Sequence, residues 1–110
     1  MGAFARGEIV LFPFPYTDLS KRKLRPCLVL SNEMDEDIIL CQITSKNTGH
    51  DNYSIELKSS ESKNGSLMID SYVRCNMIFT ASKNQIKKKI CNISRKKYNE
   101  IISKIISIIK

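Results

Sequence analysis

The chain has 110 residues, 42% hydrophobic and 26% charged, a globular composition long enough for one modest core and not for two. No apolar run approaches the roughly 20 residues of a membrane-spanning helix, and Met1 to Arg6 has neither a secretory signal nor an amphipathic transit pattern. One domain spanning 1–110, in the cytoplasm and away from membranes, is the expectation. The net charge of +7 invites a polyanion, because Lys and Arg displace the counterions of phosphates. Most of the cations are lysines, however, and the chain is rich in Ile and Asn. An AT-rich genome produces that combination without selection for binding.

In chain order, Glu8 to Phe12 is a short apolar run that stops at Pro13 and predicts a first strand, with a loop from Phe14 through Lys23 to Arg25-Pro26. Cys27 to Ser31 predicts a second, buried strand with Pro26 at its start, where proline costs no ladder bond. Asn32 to Asp37 is acidic and turn-like. Ile38 to Ile43 predicts a third strand that closes on Thr44-Ser45, followed by a polar surface loop over Lys46 to Asp51. Tyr53, Ile55 and Leu57 alternate with polar residues, the period of a fourth strand with one wet face. Ser59 to Gly65 reads as polar linker. Leu67 to Ile69 and Tyr72 to Cys75 form one interrupted strand or two, Ile78 to Thr80 a short one, and Ile90 lies in a last short strand. From Ser94 the period changes: Tyr98, Ile101, Ile102, Ile105, Ile106 and Ile109 recur at three- and four-residue steps, which predicts an amphipathic helix capped by Ser94. Arg95, Lys96 and Lys97 then stand at the positive end of the helix dipole, an unfavourable placement. Several short strands and one terminal helix describe a mainly β, small barrel.

Cys27, Cys41, Cys75 and Cys91 are far apart and mostly inside apolar segments, whereas metal-binding cysteines come in pairs two to four residues apart. With His50 the lone histidine, reduced buried thiols are expected, with no metal site and no cofactor.

Three blocks are more specific: Arg6-Gly7-Glu8-Ile9-Val10, then Pro13-Phe14-Pro15-Tyr16-Thr17-Asp18, then Arg25-Pro26-Cys27-Leu28-Val29-Leu30-Ser31. With Gln42-Ile43-Thr44-Ser45 and the segment Asp70 to Thr80, the chain resembles the PemK/MazF toxins from Arg6 to about Ile93. The resemblance implies an SH3-like barrel of the CcdB/Kid/MazF type and a homodimer. It also implies metal-independent cleavage of single-stranded RNA and a cognate antitoxin protein that blocks the RNA groove.

Cutting RNA without a metal means attack of a 2′-hydroxyl on its own phosphate. Negative charge then builds on the phosphoryl oxygens, and fixed donors aimed at them supply the largest stabilising effect. Arg25 suits that task through its permanently charged planar fork, and Pro26 biases it to an extended backbone. Thr44 offers a hydroxyl donor. By spacing alone Arg25 is a surface charge in a basic loop and Thr44-Ser45 a turn former; the resemblance makes Arg25 and Thr44 the candidate catalytic pair, to be found in one cleft. Candidate substrate contacts are Ser45, Arg74, Asn76, Ser20, Lys21 and Lys23, with Glu8 either ordering the site by pairing with an arginine or serving as an ordinary strand-face glutamate. Phe14 and Tyr16 either offer rings for stacking bases or fold back on the core. His50 reads as a solvated loop residue. Where some members of the family carry Arg-x-Asp, with the aspartate viewed as a base, this chain has Arg74-Cys75-Asn76, and Met77 and Phe79 replace the Gln and Arg often found next. A second reading therefore stays open: a relative on the same barrel that binds RNA, or a protein target such as gyrase, without catalysis.

Overall fold

The structure is a computed structural model that describes residues 3–15, 22–45 and 52–110. Six strands, β1 (Glu8–Pro15), β2 (Arg22–Val29), β3 (Asp37–Thr44), β4 (Ser54–Leu57), β5 (Ser71–Ser82) and β6 (Lys88–Asn92), precede the helix α1 (Arg95–Ile109). They form one antiparallel sheet in the order β4-β5-β3-β2-β1-β6, curled into a half-barrel with the helix against it. The mainly β barrel with a C-terminal helix expected from the sequence is borne out.

The curl gives the sheet two buried faces. On one, Ile9, Leu28, Cys41, Ile43 and Val73 meet Ile101 and Ile105 of α1. On the other, Val10, Phe12, Cys27, Val29, Ile38, Leu40 and Ala81 form a second core, rimmed by Phe4, Phe14, Phe79 and Ile86. A central strand buried on both sides needs a near-continuous apolar run, which is what Cys27-Leu28-Val29 and Ile38-Ile39-Leu40-Cys41 supply.

β1 and β2 are longer than the prolines suggested. Pro13 and Pro15 pair with Leu24 and Arg22 of β2, while β6 pairs with β1 only over Glu8 to Leu11. The prolines thus lie where β1 has become an edge strand, and an absent N–H there costs no ladder bond. Pro26 likewise precedes Cys27, where the β2–β3 ladder begins.

β5 is one continuous strand of 12 residues; it joins residues 72–75 to residues 78–80 and leaves residues 67–69 outside any strand, so neither alternative read from the sequence holds. Its pairing with β3 jumps from Cys41↔Ile78 to Ile43↔Val73, so Arg74, Cys75, Asn76 and Met77 stand against Gln42 alone. Such a bulge bends the strand and re-aims its side chains. The bulged backbone stays satisfied: the Cys41 thiol donates to the Arg74 carbonyl at 3.0 Å, and the Cys75 N–H donates to the Tyr53 carbonyl at 3.0 Å.

Ser94 caps α1 as its sequence implies, its hydroxyl accepting from the Lys97 N–H at 3.1 Å. The unfavourable charge at that end is offset in part, because Lys97 pairs with Glu61 at 3.1 Å and with Glu100 at 3.4 Å. Of the predicted apolar stripe, Ile101 and Ile105 are buried and Tyr98 and Ile102 half-buried, whereas Ile106 is 50% and Ile109 73% exposed. Among the described residues no helix is long and apolar enough to cross a membrane.

Candidate active site

Alternation along the strands explains how a polar patch arises on the second face. Side chains two apart share a face, and directly opposed residues of antiparallel neighbours share it too. Along β3 that face reads Ile38, Leu40, Gln42, Thr44, and along β2 it reads Val29, Cys27, Arg25, Lys23. Each strand changes from apolar to polar at the same level, since Cys27 pairs with Gln42. The ladder ends at that pair, and alternation puts Arg25 on β2 and Thr44 on β3 each two residues beyond it on the same face. The two candidate catalytic residues therefore sit on adjacent strands and on one face.

β5 and β4 extend the patch. Tyr72 pairs with Thr44 and with Glu56, and Arg74 pairs with Ser54, so Tyr72, Arg74 and Ser54 share the face with Thr44. Thr44 is buried, and Arg25, Gln42, Ser54, Tyr72 and Arg74 are half-buried. The patch is thus recessed among its own side chains. The buried Nε of Arg74 meets no hydrogen-bond acceptor among the described residues, and a desolvated donor in that condition favours an incoming oxygen.

The remaining sequence candidates are placed as follows. Lys23 is exposed on β2, opposite Phe14 and two residues from Arg25 on the same face. Ser45 is exposed directly after β3, and Asn76 is exposed in the β5 bulge beside Gln42. Ser20, Lys21, Tyr16 and His50 lie outside the described residues.

Glu8 is not brought to the patch, and its partner is not an arginine. Its carboxylate accepts from the Ala5 N–H at 2.9 Å and pairs with Lys89 at 3.1 Å. The reason is its place at the start of β1, beside β6. Arg25 pairs with Phe12, four residues further along β1, or about 13 Å at strand rise. Phe14 belongs to β1 and packs its ring on Phe12 and Phe79, which accounts for one of the two readings of that residue.

Gln42, Tyr72 and Ser54 were not among the sequence candidates. Gln42 was reachable, because alternation from Thr44 alone puts it on that face. Tyr72 and Ser54 were not, because their placement depends on the register of β5 against β3 and β4.

The four cysteines are free and buried. Burial, and secondarily the neighbouring Cys75, pushes the Cys41 thiol up to about 12, and burial raises Cys27 and Cys91 as well. Such thiols are poor nucleophiles and poor ligands. Among the described residues no group of three or more His, Cys, Asp or Glu side chains could hold a metal ion.

A curled antiparallel sheet with a terminal helix, carrying a patch of cationic and hydroxyl side chains on one face, defines a class of small barrel proteins. Solved structures with this fold include "MazE-MazF (Form-III)" from Deinococcus radiodurans, with a TM-score of 0.77, 17% identity and coverage of 96% of this chain and 95% of that one. An "Endoribonuclease from Mycobacterial species" aligns with a TM-score of 0.72 and 18% identity over 97% of this chain and 91% of its own. The Mycobacterium tuberculosis toxin MazF-mt6 aligns at 0.64 and 16%, over 87% and 91%. No curated protein sequence matches the chain. The chain belongs to the family of PemK-like, MazF-like toxins of type II toxin-antitoxin systems, whose model matches residues 5–109.

Proposed function

We propose that this protein is a metal-independent endoribonuclease toxin that cuts single-stranded RNA. The observation that carries the reading is the common face of Arg25 and Thr44 on adjacent strands, with Arg74, whose Nε meets no acceptor among the described residues, on β5 beside β3. In the reaction the 2′-oxygen bonds to the neighbouring phosphorus, its proton passing to solvent, while the bond from phosphorus to the 5′-oxygen breaks and that oxygen takes a proton from solvent. The products are a 2′,3′-cyclic phosphate and a 5′-hydroxyl. Arg25 sets its guanidinium fork on the non-bridging oxygens as their charge grows, and the Thr44 hydroxyl donates to the same phosphoryl group. Arg74, Ser45, Asn76 and Lys23 hold the strand on either side, together with Ser20 and Lys21.

The family membership supports a cognate antitoxin as protein partner, a homodimer as the working assembly and the cytoplasm as the compartment where RNA and antitoxin are met. Solved relatives are described as complexes with MazE or with a cognate antitoxin. Met68, 88% exposed, and Ile109 on α1 provide apolar surface of the sort that protein partners cover.

The test is incubation of a long single-stranded RNA with purified protein in EDTA, followed by end-group analysis. Cyclic phosphate and 5′-hydroxyl ends are expected, together with protection by a single 2′-deoxy substitution at a mapped cut. RNA that stays intact while remaining tightly bound favours instead a non-catalytic relative that binds RNA.

A further inference from the structure

Phe12, Phe14 and Phe79 form a closed triangle of rings, with centroids 5.3 to 5.5 Å apart and interplanar angles of 56° to 72°. Two alternate positions of one strand and one distant position build it: Phe12 and Phe14 share one face of β1, and Phe79 reaches the same face from β5, opposite Leu40. Phe12 is the buried member, while Phe14 and Phe79 keep part of their rings exposed. The triangle borders the polar patch directly. Phe12 pairs with Arg25 and Phe14 with Lys23 across the β1–β2 ladder, and Leu40, opposite Phe79, is two residues from Gln42 on the shared face.

From this juxtaposition we infer that Phe14 and Phe79 are a stacking platform for the nucleobase next to the phosphate held by Arg25. The inference rests on the nuclease reading for its choice of ligand. A strand whose phosphate is gripped by Arg25 has its neighbouring base within one nucleotide of these rings, and an unstacked base gains most from an aromatic surface. The mutual edge contacts fix the rings before the base arrives, so little rotamer entropy is lost on binding. A ring face offers no hydrogen-bond code. The platform therefore selects by stacking area, and purine is preferred over pyrimidine at that one position. Gln42, half-buried at the boundary, is placed to meet the edge of the same base.

The experiment uses short single-stranded deoxyoligonucleotides, which lack the attacking 2′-hydroxyl, carrying 2-aminopurine at each position in turn. Wild-type protein is expected to quench the fluorophore at one position. Phe79→Met, which keeps apolar volume without a π-face, should abolish that quench and weaken binding about tenfold, while Phe79→Tyr should retain both. Should the Phe79→Met chain fail to fold, Phe14→Met makes the same comparison. Quenching and affinity unchanged in the methionine variant overturn the platform. The two readings fail separately. RNA cleavage without ring-dependent quenching removes the platform and leaves the nuclease, and ring-dependent quenching by a protein that leaves RNA intact does the reverse.

Discussion

At the scale of single residues, the molecule separates two uses of charge. Glu8 and Glu33 are spent on structure. Glu33 accepts from the Phe4 N–H at 2.8 Å and from the Ala3 N–H, and pairs with Lys83 at 2.7 Å, tying the N-terminal segment to the turn after β5. The Lys83 hydrogen bond first, then the Phe4 amide, hold the Glu33 carboxyl below its ordinary value of 4.5. A carboxylate with a lowered folded-state pKa stabilises the fold fully above its unfolded value, and that contribution is lost as pH falls below about 4.5 towards the folded value. Glu33→Gln should therefore be less stable than wild type at neutral pH, with the gap closing in acid. Urea midpoints measured across pH 3 to 7 check this, and a gap independent of pH contradicts it. Arg25, Thr44 and Arg74 are different, because the fold gathers them on one face, where in the proposed function their donors serve the RNA phosphate. Sequence spacing could suggest Arg25 and Thr44 singly. Only strand register makes them neighbours, and Glu8 shows how a matching residue in the same opening block ends elsewhere.

At the scale of elements, the strand run and the capped helix were legible because they depend on local periodicity and on local signals such as Ser94. What was not legible depends on partners distant in the chain. Pro13 and Pro15 read as breakers until it is seen that they lie where the β6 ladder is missing. The continuity of β5 was hidden by its bulge, since Arg74 to Met77 interrupt the alternation on which strand recognition relies. Phe79, in place of the arginine often found in the resembling toxins, completes a ring triangle with Phe12 and Phe14, a reason visible only in three dimensions. One element depends on a glycine: Gly65 has φ +142°, and a Cβ there would stand 2.1 Å from the Ile90 carbonyl oxygen of β6. Gly65→Ala should cost roughly 3 kcal/mol or more, because backbone on both sides must move. Equilibrium urea unfolding measures it, and a loss below about 1 kcal/mol would show that the loop relaxes without disturbing β6.

At the scale of the whole molecule, a curled sheet with two buried faces hides every cysteine while leaving one polar recess open. Native protein should react with a thiol-specific chromogenic reagent only at the rate of unfolding, and all the cysteines should titrate in denaturant. Rapid native labelling of Cys27 or Cys41 would contradict the burial described. In the proposed function the excess of positive charge draws RNA to the surface, and the polar patch decides what happens there. That division rests on Arg25 and Thr44 acting on one phosphate. The most direct test is a double-mutant cycle on RNA cleavage with Arg25→Ala, Thr44→Val and the double variant, each checked for a wild-type circular dichroism spectrum. Groups that act as a unit give losses that do not add. Each single change is expected to lower kcat/KM by about a hundredfold or more, with the double variant little worse than the more damaged single. Full activity in either single variant, or losses that simply multiply, would contradict the shared site.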